Sequence, residues 1–103
     1  MINVKTKKII LVGAGWAPFH NKLKKLCQEI ADEKGLEFEE KIEDWMFLKR
    51  FGEKDELGGT DIPQIFVEYE GGEIVHVMTK VPLSAEGNPN YTKAKEIILS
   101  KIK

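Results

Sequence analysis

The sequence is short of several things that would commit a small chain to a common role. It holds one cysteine, Cys27, so no internal disulfide can staple it, as suits a reducing compartment. Its apolar run near the amino terminus, Ile9–Gly13, is far too short for a membrane span or a secretory core. These two absences make a cytoplasmic protein the expectation. An excess of either charge is also missing: 16 basic residues stand against 17 acidic ones, a formal net charge of -1. That balance gives no electrostatic footprint for nucleic acid or an anionic membrane, so neither is expected as a partner. Repeats, low-complexity tracts and linkers are absent too. At 103 residues, 42% hydrophobic and 32% charged, the chain reads as a single domain, 1–103, large enough for its own core.

What is present has strong periodicity. Residues 8–13, KIILVG, form an aliphatic run suited to a central strand buried on both faces. Phe19, Leu23, Leu26, Cys27, Ile30 and Ala31 recur at spacings of three and four, with Lys22, Lys24, Lys25 and Glu29 on the opposite side. This predicts an amphipathic helix with Pro18 in its first turn, ending near Lys34 at Gly35. LEFEEKI follows as a second strand with Leu36 and Phe38 on one face. The resulting βαβ unit requires a right-handed crossover between parallel strands. Residues 43–59 predict a less regular helix carrying Trp45, Leu48 and Phe51, cut short by Gly52 and Gly58–Gly59. Ile65–Tyr69 and Glu73–Thr79 read as a hairpin joined at Glu70–Gly72, and NYTKAKEIILSKIK as a closing helix. The order is βαβαββα, an α/β chain whose four-stranded mixed sheet carries helices on both faces.

Two short motifs add to this pattern. WAPFH, residues 16–20, stands at the end of the first strand, and DIPQIFV, residues 61–67, opens the hairpin. The first resembles the C-P-Y-C turn of glutaredoxins, with Ala17 and His20 where the two cysteines would stand and Pro18 and Phe19 between them. The second is similar to the T-V-P-Q-I-F-I stretch that carries the family's cis-proline. The resemblance implies a thioredoxin-like fold, a cis Pro63 facing the first turn, and an Ile62 backbone free to pair with an extended ligand. It covers most of the chain in element order and about a dozen residues in specific motif.

The departures matter as much as the matches. Disulfide exchange needs an attacking thiolate and a second sulfur to resolve the intermediate. Ala17 cannot attack and His20 cannot resolve, so no catalytic residue is assigned. Cys27 lies seven positions after His20, roughly 10.5 Å along a helix axis, beyond a shared metal or hydrogen bond. It reads instead as a buried small hydrophobe. His20, in a first helical turn, reads as a solvent-facing residue filling a vacated position, since the neighbouring sequence offers no orienting carboxylate. A neutral imidazole there could alternatively accept a ligand's hydrogen bond or act as a base. His76 receives no role. The family's lysine three positions before the first cysteine is Ala14 here, and VPLSAEG replaces its glycine pair and aspartate, so the parts that read glutathione's charges are gone. GAGW, residues 13–16, lacks the third glycine of a dinucleotide fingerprint and reads as a tight turn. The segment LKRFGEKDEL reads as a solvated face.

These observations lead to an expected binding region of Trp16, Ala17, Pro18, Phe19, His20, Asp61, Ile62 and Pro63, bordered by Trp45 or Phe47. No metal and no cofactor are expected. The leading expectation is a redox-inactive binding module that captures a peptide or protein partner, with weak glutathione binding as one form of it. Two alternatives remain open: a glutaredoxin-type oxidoreductase whose cysteines are substituted in this chain, and a domain that homodimerises through the same turn.

Overall fold

The computed structural model describes residues 4–103. Seven elements follow in the order β1 Thr6–Gly13, α1 His20–Lys34, β2 Glu37–Ile42, α2 Trp45–Phe51, β3 Gln64–Tyr69, β4 Ile74–Thr79 and α3 Tyr91–Lys101. The strands form one mixed sheet in the order β2-β1-β3-β4. Only β1 and β2 run parallel; β3 pairs antiparallel with both β1 and β4.

The run Ile9–Val12 is apolar throughout because β1 is central and both its faces are covered. Ile9 and Leu11 join Leu23, Cys27 and Ile30 of α1 and Ala94 and Ile98 of α3. Ile10 and Val12 point the other way, to Leu48 of α2 and Phe66 of β3. Alternation of side chains along one strand thus feeds two cores. The helices begin and end where local chemistry allows. Asp44 and Asn90 cap α2 and α3 by accepting the Phe47 and Lys93 N–H groups. Gly35 closes α1 in the left-handed conformation, φ 69°.

Two boundaries differ from the expectation. α1 starts at His20, so Pro18 and Phe19 belong to the preceding turn, not to the first helical turn. α2 spans only seven residues. A side chain at position 52 would meet the Leu48 carbonyl oxygen at 2.7 Å and Gln64 Oε1 at 3.0 Å, so the backbone passes close here and needs glycine. The chain then leaves the helix in an extended conformation. No helix among the described residues is long and apolar enough to cross a membrane.

Candidate functional site

The residues between β1 and α1 and those just before β3 lie at the same end of the sheet, because β1 and β3 are antiparallel neighbours. There the structure brings Pro18, Phe19, Ile62 and Pro63 together with Lys80, Val81 and Leu83 around a groove of about 380 Å³. That volume is in the range of small-molecule and peptide-side-chain sites. Six of the seven lining residues are apolar.

Each wall is held by main-chain geometry. The Ile62–Pro63 peptide is cis. The Pro63 carbonyl accepts the Lys80 N–H at 2.7 Å, tying the floor to the segment after β4. Neither the N–H nor the C=O of Ile62 has a hydrogen-bond partner among the described residues. Phe19 stands at the N-cap of α1 with φ 67° and no side-chain cap bond. A left-handed conformation costs a non-glycine residue roughly 1–2 kcal/mol, and phenylalanine makes a poor cap. Its ring nevertheless lines the groove. Lys80 is also left-handed, φ 60°, and its ammonium lies 3.6 Å from Asp61 at the rim.

Behind this end, Gln64 fixes the approach to Ile62. Its side chain is fully buried. Oε1 accepts the Glu53 N–H at 2.9 Å, while Nε2 donates to the carbonyls of Glu53 at 3.1 Å and Asp61 at 2.9 Å. One amide therefore holds both ends of the segment between α2 and β3.

His20 differs most from the expectation. It is only 2% exposed, not solvent-facing. Its Nε2 lies 2.6 Å from Glu40 Oε2 on β2, and Lys24 approaches the same carboxylate at 3.2 Å. The His20 hydrogen bond, with Lys24 behind it, holds the Glu40 carboxyl below its ordinary 4.5 despite opposing desolvation. An ionised carboxylate only accepts, so the imidazole donates through Nε2. Nδ1 is left buried, without a partner among the described residues, beside Gly13. Glu40 was the residue that sequence reading missed. The alternation Leu36–Phe38–Glu40 was its signal: it places a carboxylate on the side facing α1, where only a partnered one is tolerated.

A carboxyl held low in the fold contributes stability above its unfolded value, and that stability is lost as pH falls through the folded value. Glu40 therefore adds to acid unfolding below about pH 4.5. Urea melts between pH 7 and pH 3 should show a shallower acid limb for Glu40→Gln than for wild type. Equal limbs would remove Glu40 from that account.

The remaining expected site residues are spread out. Ala17 is buried, and Trp16 is 68% exposed outside the groove lining. Trp45 and Phe47 do not border it; Phe47 packs edge-on against Phe66 on the α2 side. Val81 and Leu83 form the wall that sequence reading did not supply. Cys27 is fully buried, and burial pushes its thiol up to about 12, which leaves it inert as a nucleophile. His76 bonds Thr79 at 2.8 Å, and burial lowers its pKa. No cluster of metal-ligating side chains occurs among the described residues.

Comparison of the chain with protein-family models, curated proteins and solved structures returned no match.

Proposed function

We propose that this chain is a redox-inactive, glutaredoxin-like binding module of thioredoxin-like fold, and that the groove at Phe19, Ile62 and Leu83 captures an extended peptide through an apolar side chain. The observation that carries the reading is the pairing of an apolar cleft with a free backbone. Ile62 offers an unpaired N–H and C=O beside a cleft walled by Pro18, Phe19, Val81 and Leu83. Main-chain bonds to an extended segment give affinity in such an arrangement, and the cleft gives side-chain preference. The costly backbone of Phe19 supports it, because a ring kept where glycine is cheaper is kept for what it touches. The strand order β2-β1-β3-β4, the helices on both faces and the motifs WAPFH and DIPQIFV support the fold-level likeness, which is an analogy and assigns no chemistry by itself.

Leu83→Asp separates binding from folding. Leu83 is exposed, so the change should alter stability by no more than about 0.5 kcal/mol. It should weaken binding of the blocked tripeptide acetyl-Ala-Leu-Ala-amide at least ~10-fold, since it puts a charge in the apolar wall. Calorimetric titration of both proteins checks this. Equal affinity would place peptide capture elsewhere.

A further inference from the structure

We propose that the same groove receives the Leu57 side chain of a second copy of this chain, so that the protein self-associates tip to groove. This rests on the apolar cleft of the groove reading above; Leu57 is carried on a closed turn, so it enters the cleft by its side chain and not by strand-like pairing with Ile62. The segment between α2 and β3 forms a small closed loop, with Lys54 bridged to Thr60. Its tip is built tightly. The Asp55 N–H donates to the Gly59 carbonyl at 2.8 Å, and Asp55 Oδ1 accepts the N–H groups of both Leu57 and Gly59 at 2.9 Å. Gly58 takes the left-handed position the turn needs, φ 84°. These bonds hold up a leucine that is 96% exposed.

A side chain carried on a backbone already held by hydrogen bonds leaves only its own rotamers to order on docking, which lowers the cost of a small contact. The groove lining is apolar apart from Lys80. Charge complements the fit. Glu56 precedes Leu57 at the tip, and Lys80 stands on the groove wall. The ion pair of Lys80 with Asp61 is loose, 3.6 Å, and both side chains are more than half exposed, so the ammonium has donors to spare for Glu56 of the incoming copy. Knob and socket are separate residues of each chain, Leu57 standing outside the groove lining. Where two copies each offer Leu57 to the other's groove the contact closes as a two-fold dimer; otherwise it closes into a ring or grows into a short chain.

Sedimentation equilibrium over a concentration series reaching about 1 mM tests this, a range suited to an interface of small area. The wild type should show a mass that rises with concentration. Leu57→Asp should weaken association at least ~10-fold. Glu56→Lys and Lys80→Glu should each weaken it several-fold, and the double variant Glu56→Lys/Lys80→Glu should recover most of the loss, which a merely general surface effect would not do. A wild type monomeric throughout overturns the proposal, as does association that survives Leu57→Asp or a charge reversal that fails to restore it. The peptide reading fails by a different route, through unchanged tripeptide affinity in Leu83→Asp.

Discussion

Gly13→Ala should destabilise the protein by about 2–4 kcal/mol, a fall in Tm of roughly 10–20 °C for a domain of this size. The φ of Gly13 lies outside the left-handed range, so the cost does not come from backbone conformation. It comes from the imidazole. A Cβ at position 13 would stand 2.3 Å from His20 Nδ1 and 2.9 Å from Cε1. Real atoms do not approach so closely, so either the ring leaves Glu40 or the end of β1 shifts. The first leaves the half-buried Glu40 carboxylate with only Lys24, and the second disturbs the turn that carries Phe19. His20→Ala decides the cause. In that background the methyl group meets no ring, and adding Gly13→Ala should cost less than about 1 kcal/mol, a large coupling between two touching residues. Thermal melts of the four proteins measure it. If Gly13→Ala costs as much without the imidazole as with it, the His20 contact is not the reason for glycine.

Gln64→Leu should be comparably costly, about 2–4 kcal/mol, for a different reason. The leucine fills much of the volume but leaves the Glu53 N–H, the Glu53 carbonyl and the Asp61 carbonyl without their partner. These bonds are part-buried; a fully buried group abandoned in this way costs about 1–3 kcal/mol, and one that water reaches costs less. The damage should be directional. Amide exchange should accelerate from Glu53 to Ile62, while the paired core of β1 and β3 keeps its protection until global unfolding. Uniform acceleration across the sheet would mean that Gln64 supports the whole fold and not the approach to the groove.

Hydrophobic period placed the elements well: Ile9–Val12 reads as a doubly buried strand and is one, and Leu23, Cys27 and Ile30 form the inner face of α1. Such signals are local, so one chain suffices to read them. His20 was misplaced because its partner sits twenty positions away, on a strand that meets α1 only after the crossover is made. Yet Glu40 broke the apolar face of β2, and a carboxylate in that place asks for a cation or a donor. Gln64 was visible only as a letter in a motif; its three bonds reach backward across a loop whose path no periodicity describes. The groove was half legible. Pro18, Phe19, Ile62 and Pro63 stood in recognisable motifs, whereas Val81 and Leu83 follow a hairpin, where side-chain direction depends on the left-handed Lys80. The short α2 was foreshadowed by Gly52, though its real constraint is the close passage of Leu48 and Gln64.

Peptide capture at the groove is tested most directly by a two-dimensional amide NMR titration of the dilute protein with acetyl-Ala-Leu-Ala-amide, with reduced glutathione as the comparison. The expected result is a set of shifts confined to Phe19, Ile62, Gln64, Lys80, Val81 and Leu83, larger for the blocked leucine peptide than for the charged tripeptide. Silence at those amides at millimolar peptide, or shifts gathered on another face, would contradict it.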